Sequence, residues 1–219
     1  MTFSPRPTRR RQSISVPALL RRRRWTRAGV ISLLLVILAS ILVDRVQSKE
    51  GDDWKRFDRK VVRVARVVDG DTVRIQPVDD AETVVRLVGV DAPELHLDFK
   101  APPDYWADRA REYLTARVQD KDVILRLETT QTRDRYGRLL AYVYLSESAN
   151  INFDLVRDGQ AYADRRFAHS LRGQFEQAEN AARKKGAGLW KEVTEQQMPP
   201  WRRRWLEEVR SNGALSETP

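Results

Sequence analysis

Apolar and polar positions alternate in short runs through the middle of the chain. Residues 60–68, 72–77 and 82–90 each read as a β-strand. In the third run Val84, Arg86 and Val88 share one face, and Val85 and Leu87 the other. Residues 122–127 and 139–145 add two more strands. The period lengthens to helical spacing over residues 104–119, where Trp106, Ala110, Leu114 and Val118 form one stripe and Asp104 is placed to cap. A two-proline loop over residues 95–103 precedes that helix. Residues 152–157 read as a short helix ended at Gly159, and residues 170–185 as a longer one with Leu171, Phe175, Ala178 and Ala182 inward. Five strands with interleaved short helices predict an α+β fold, mainly β: a five-stranded closed barrel of the OB type with packed helices.

The two ends have a different character. Residues 1–27 contain nine arginines and no acid, among many Ser, Thr and Pro, and read as a disordered tail. Residues 28–43 are uncharged and mostly aliphatic, with no polar face. As a helix this stretch spans about 24 Å against a hydrocarbon core of about 30 Å. Trp25 and a snorkelling Arg27 extend its anchored length, so a single N-terminal transmembrane helix is expected. The arginine excess before the span places the amino terminus inside and the domain outside. A cleaved signal peptide is the rival reading, with Val46-Gln47-Ser48 a weak cleavage site; an Arg/Ser-rich mitochondrial presequence is another. A polar linker over residues 44–59, a barrel domain over 60–190 and an extension over 191–219 complete the division. In the extension, Trp201, Trp205 and Val209 make an apolar stripe on a short helix that Gly213 would end. The simplest reading docks this helix on its own domain; a basic aromatic helix lying on a membrane is the alternative.

Charge changes the picture less than its total suggests. The net charge is +9, from 40 Lys and Arg against 31 Asp and Glu. Removing the nine tail arginines leaves a formally neutral body, so the high pI is no sign that the domain binds nucleic acid. The absence of cysteine excludes disulfides and thiolate metal sites.

The densest chemistry lies between residues 67 and 94. Val67-Val68-Asp69-Gly70-Asp71-Thr72-Val73 joins the first two strands, and Arg86-Leu87-Val88-Gly89-Val90-Asp91-Ala92-Pro93-Glu94 closes the third. Asp71, Asp91 and Glu94 are three potential oxygen ligands or bases. Arg86 precedes Asp91 by five residues, so on a regular strand the two point to opposite faces; a bend at Gly89 would let them converge. Acids that hold a hard cation and a guanidinium fork that holds phosphate oxygens are what phosphoryl chemistry needs. Alone, Asp69-Gly70 is equally an ordinary hairpin turn. A second polar motif, Asp134-Arg135-Tyr136-Gly137-Arg138, separates the last two strands, and Arg138 opens a strand rigid enough to aim it. His96 and His169 match no ligand spacing and are expected in loops or on the surface.

In this order the motifs resemble the staphylococcal (thermonuclease-like) nuclease family. Asn152-Phe153-Asp154-Leu155-Val156-Arg157-Asp158-Gly159-Gln160-Ala161, Glu176-Gln177-Ala178-Glu179 and Gly188-Leu189-Trp190 extend the match, which covers residues 61–190. The resemblance implies an OB-fold and calcium-dependent hydrolysis of DNA and RNA phosphodiesters to 3′-phosphate products. It makes Asp71 and Asp91 the Ca²⁺ carboxylates and the carbonyl of Ala92 a further ligand. It makes Glu94 the general base, lets Arg86 and Arg138 hold the phosphate, and puts Arg135 and Tyr136 near the nucleotide. Two carboxylates and one carbonyl imply modest Ca²⁺ affinity. Ala92 stands where many members have Thr, a change that a carbonyl ligand tolerates. Residues 95–103 lack the lysine-rich character of the best-known member, which bears on substrate preference and not on the chemistry. The expectation is a membrane-anchored calcium-dependent nuclease with its domain on the periplasmic or extracellular side. Secretion after cleavage and a mitochondrial membrane are the alternatives for its location. A non-catalytic nuclease-like barrel that binds nucleic acid or protein is the alternative for its function.

Overall fold

The alternating runs do form a barrel. In the computed structural model the described residues are 31–32, 34–39, 52–78, 81–96, 101–129, 131–211 and 213. The chain divides into two compact units, Met1–Arg45 and Val46–Pro219. In the first, residues 31, 32 and 34–39 are helical with exposed side chains. The expected span over residues 28–43 otherwise lies outside the described residues. Among the described residues no helix is long and apolar enough to cross a membrane.

The second unit begins with helix α1 (residues 52–57), followed by strands β1 (Val61–Val67), β2 (Thr72–Val78) and β3 (Ala81–Leu87). β1 pairs with β2, and β2 with β3, both antiparallel. A bulge between Val64 and Arg66 shifts the alternation by one, so that Val62, Val64 and Val67 all reach the core while Arg66 stays out. β5 (Asp122–Leu127) lies antiparallel to β1, and β6 (Leu139–Ser146) antiparallel to β5. β3 and β6 then pair in parallel, Arg86 opposite Leu140, and this closes the five-stranded barrel. Its interior is filled by the expected aliphatic side chains, among them Val73, Ile75, Val85, Leu87, Leu125 and Val143.

The third expected run breaks early. β3 ends at Leu87, Gly89 takes a φ of 75°, and the chain restarts as the two-residue β4 (Val90–Asp91). β4 pairs outside the barrel with β8 (Tyr162–Ala163), Asp91 opposite Tyr162. An ideal Cβ on Gly89 would fall 2.4 Å from Cε1 of His169, so lack of space as well as the left-handed backbone demands glycine.

Helix α2 (Ala107–Val118) buries Ala107, Ala110, Leu114 and Val118. It starts later than expected, and Asp104 does not cap it. Trp106 occupies the cap position with φ 76° and is only half-buried, its indole N–H donating to Gln160 Oε1 at 2.8 Å. The Asp104 carboxylate instead accepts from the Glu94 backbone N–H, at 3.2 Å. The two-residue β7 (Ala149–Asn150) leads into α3 (Ile151–Arg157), which Asn150 caps by accepting from the Phe153 backbone N–H. Asn152, fully buried, accepts from Val143 N and donates to the Val88 and Ala141 carbonyls.

Helix α4 (Arg172–Lys185) buries Phe175, Ala178 and Ala182 as expected, and also Glu179. The carboxylate of Glu179 meets Arg202 in helix α5 (Pro200–Ser211) through two bonds of 2.7 and 3.0 Å. Both side chains are fully buried. A buried pair of this kind requires close geometry, because either charge alone would cost several kcal/mol. Arg202 also lies over the rings of Tyr162 and Trp190, 5.1 and 4.8 Å from their centroids. α5 thus buries Arg202 and Leu206 most fully, while the expected Trp201–Trp205–Val209 stripe is half-buried.

One further expectation is corrected, and His169 lies in a loop as expected. The stretch taken as a polar linker contributes Phe57 to the core and Asp53 to a two-bond pair with Arg133. His169 is half-buried against Phe175, its Nδ1 within 3.0 Å of the Tyr142 hydroxyl, and burial depresses its pKa.

Glu128 follows β5 and ties the start of α4 to the barrel. It accepts hydrogen bonds from Tyr142 Oη, Ser170 N, Ser170 Oγ, Thr129 N and Thr129 Oγ1 at 2.8–3.0 Å. Burial would raise its pKa, but these donors outweigh it and pull the value to about 2. A carboxylate depressed from an ordinary value of 4.5 contributes stability above that pH and loses it as the pH falls toward 2. Glu128→Gln should therefore melt at a lower temperature than the wild type at pH 7. The gap should narrow from pH 4.5 downward and close near pH 2. Thermal melts across this range check it, and a gap independent of pH would contradict the assignment.

Candidate active site

The site lies where β2, β3 and β4 meet. Asp69 shapes its first loop by accepting the Asp71 backbone N–H at 3.0 Å. Gly70 is needed there for space: a Cβ would lie 2.6 Å from that of Ala92 and 2.8 Å from that of Ala110. Asp71 is left buried at the head of β2. Its Oδ1 accepts from the Thr72 hydroxyl at 3.0 Å, and its Oδ2 from the Ala92 backbone N–H at 2.8 Å.

Arg86 and Asp91 converge, as a bend at Gly89 requires. Arg86 Nη1 donates to the Leu87 carbonyl at 2.9 Å. Its Nη2 stands 3.1 Å from Asp71 Oδ2 and 3.5 Å from Asp91 Oδ1. One guanidinium therefore bridges two buried carboxylates. Burial pushes Asp71 up to about 6, and the charge of Arg86 limits the rise. Asp91 is also raised, by burial first and then by Asp71, against the pull of Arg166 and Arg86. Burial would lower the Arg86 pKa, but the two acids raise it.

Two residues that no sequence motif marked complete the surroundings of Asp91. Arg166 Nη2 approaches Oδ1 to 2.5 Å and also pairs with Asp164 at 2.9 Å. The indole N–H of Trp201 donates to Oδ2 at 2.8 Å across 110 residues of chain. The only sequence signals were an unremarkable Arg165-Arg166 pair and a tryptophan on a basic helix.

Glu94 stands exposed at the rim, after buried Pro93. Its backbone is anchored by two bonds with Asp104, N–H to Oδ2 and C=O from the Asp104 N–H. Its carboxylate makes no hydrogen bond or ion pair among the described residues. Its pKa is raised by burial of the carboxyl among neighbouring groups and by the charges of Asp71 and Asp91. Such a group is suited to accept a proton.

The second motif forms its own cluster. Asp134 Oδ2 holds Arg138 Nε at 2.7 Å, and its Oδ1 accepts the backbone N–H groups of Tyr136 and Arg138. Arg135 Nη2 donates to the Tyr136 hydroxyl, and the ring of Tyr136 is 68% exposed. Among the described residues none of these three bonds to Asp71, Asp91 or Glu94. The link is topological: Arg138 directly precedes β6, whose Leu140 lies opposite Arg86.

The lone pairs left on the two carboxylates decide whether a hard cation fits here. Asp71 Oδ2 has two partners and Asp91 Oδ1 two, which fills both. Among the described residues Asp71 Oδ1 and Asp91 Oδ2 each have a single partner, which leaves one lone pair open on each. Among the described residues no group of three His, Cys, Asp or Glu could hold a metal unaided. The third donor would have to be a carbonyl, and Ala92 is adjacent. The residues fit a loosely held oxygen-ligated cation.

Comparison with known proteins identifies the family. Residues 84–192 match the family model described as staphylococcal nuclease homologue. A micrococcal nuclease of Shigella flexneri is 31% identical over 189 residues, which cover 81% of this chain and 95% of its own length. An uncharacterised endonuclease of Haemophilus influenzae is 32% identical over 146 residues, 67% of this chain and 75% of its own. A thermonuclease of Staphylococcus hyicus is 29% identical over 164 residues, 72% and 95%. The chain belongs to the staphylococcal nuclease homologue family, and this kinship supports a nuclease function.

Proposed function

We propose that this protein is a calcium-dependent phosphodiesterase that cleaves DNA and RNA strands and is anchored to a membrane by residues 28–43. The observation that carries the catalytic reading is the pair of buried carboxylates, Asp71 and Asp91, bridged by Arg86 beside an unpaired Glu94. Asp71, Asp91 and the carbonyl of Ala92 would hold Ca²⁺, which supplies positive charge against a phosphate oxygen. Glu94 takes the proton of the attacking water as its oxygen bonds to phosphorus, and the leaving oxygen departs on the opposite side. Arg86 and Arg138 donate to the phosphate oxygens, whose charge grows in the transition state. Tyr136, exposed and flanked by arginines, offers a face to a base or sugar.

Activity should need Ca²⁺, with Mg²⁺ a poor substitute, because two carboxylates and a carbonyl suit a larger cation with flexible coordination. Assays of the wild type and Asp71→Ala on denatured DNA, with Ca²⁺, Mg²⁺ or chelator, test this. Cleavage that persists in chelator, or an unchanged calcium dependence in Asp71→Ala, would remove the assignment. A folded protein that binds Ca²⁺ and DNA without cleaving would instead support the non-catalytic alternative.

Glu94→Gln should lower kcat by about 10²–10⁴ and leave nucleotide binding intact. Kinetics and a thermal melt on the same protein decide the point. A large melting shift with near-normal kcat would make Glu94 a loop anchor and not a base.

The anchor rests on the sixteen uncharged residues 28–43 behind nine arginines. Protease added to cells whose outer layer has been permeabilised should digest the domain. Full protection, or a mature chain beginning near Ser48, would exclude this topology.

A further inference from the structure

The carboxylate of Asp91 is held from two sides by different kinds of donor. Two guanidinium groups, Arg86 and Arg166, meet Oδ1. Among the described residues only the indole N–H of Trp201 meets Oδ2, at 2.8 Å. That indole is half-buried, with the Arg166 guanidinium 5.1 Å from its centroid. Trp201 sits in the first turn of α5, beyond residues 84–192 that match the family model. Its neighbour Arg202 locks that turn to α4 through the fully buried pair with Glu179. The indole donor is thus carried by a fixed element.

We propose that Trp201 is a positioning residue for the cation site, so that α5 completes an active site whose reacting groups come from the barrel. The torsion of an aspartate carboxyl is soft, and contacts on one oxygen leave its plane free to turn. A donor on the other oxygen fixes that plane and directs the remaining lone pair. Indole suits the task because it donates without carrying charge. An arginine or lysine there would orient Oδ2 equally well but cancel the negative charge that attracts a cation. Both acids show the same division: guanidinium groups meet Asp91 Oδ1 and Asp71 Oδ2, and a neutral donor, Trp201 or Thr72, meets the oxygen with the open lone pair.

The proposal rests on the reading of Asp71 and Asp91 as Ca²⁺ ligands, and its test separates the two. Ca²⁺ binding to the full chain is measured by titration calorimetry without nucleic acid, for wild type, Asp91→Ala, Trp201→Phe and Trp205→Phe. Trp201→Phe keeps an aromatic ring under Arg166 and removes the donor. Trp205 stacks on Arg165 from the same helix, 4.3 Å from the guanidinium carbon to its ring centroid, and is the control for docking. Trp201→Phe should weaken Ca²⁺ binding about 10-fold or more, in the range typical of groups that orient a metal ligand. Trp205→Phe should stay near the wild-type affinity, and the two variants should melt alike without calcium. In the wild type, the Trp201 indole N–H resonance should shift along the same Ca²⁺ titration, a readout that needs no variant to fold. Wild-type affinity in Trp201→Phe, equal weakening in Trp205→Phe, or a silent indole resonance overturns the proposal. No Ca²⁺ uptake by the wild type, or undiminished uptake by Asp91→Ala, would overturn the metal assignment itself.

Discussion

Two carboxylates buried side by side is the arrangement on which the rest of this structure depends. Asp71 and Asp91 are each shielded from water; burial raises the pKa of both, and the charge of Asp71 raises that of Asp91 further. Left alone, such a pair would cost several kcal/mol and would be relieved by protonation. Arg86 makes it tenable by placing one nitrogen against both. That placement needs β3 to end at Leu87 and the chain to turn at Gly89. It also needs the loop before β2 to pass close to Ala92 and Ala110, which only Gly70 permits. The glycines of these motifs therefore answer to the geometry of a charge cluster and not merely to turn formation.

A second buried pair, Glu179 with Arg202, fastens the C-terminal helix, and residues 162–166 connect the two. Tyr162 pairs with Asp91 across the small sheet and lies under Arg202. The Ala163 backbone N–H donates to Glu179, and Asp164 N–H donates to the Gly89 carbonyl. Arg165 turns to Glu179 while Arg166 turns to Asp91. Adjacent arginines thus serve different ion pairs. A disturbance at either pair is transmitted through five residues of backbone, which gives α5 a physical route to the chemistry.

The placement of the reactive groups also separates duties. Asp71 and Asp91 lie in rigid, dry surroundings suited to holding charge. Glu94 stands at the rim without a partner, close enough to the acids for its pKa to respond to them. Arg138 and Tyr136 belong to a loop between β5 and β6 that is organised by one carboxylate, Asp134. Under the proposed function, substrate contact and cation holding would lie on different elements of one barrel, linked by the parallel pairing of β3 with β6.

Local spacing made the barrel legible: period two marked all five strands, because each must bury alternate side chains on one face. The convergence of Arg86 with Asp91 was legible only as a condition: opposite faces on a regular strand, one site if the chain bends at Gly89. What lay beyond local spacing was not. The sequence marked Trp201, Trp205 and Val209 on the last helix and did not mark Arg202, because nothing nearby showed that Glu179 would be buried to receive it. Asp104 read as a helix cap, yet Trp106 took the left-handed turn and freed its carboxylate for Glu94. Residues before β1 read as linker because their partner, Arg133, comes 80 residues later. Sequence alone determined the barrel, the acids and the arginine between them, because those depend on neighbours within a strand or turn. Only the tertiary structure decided that Arg166 and Trp201 grip Asp91, because a contact across 110 residues is set by how whole elements pack.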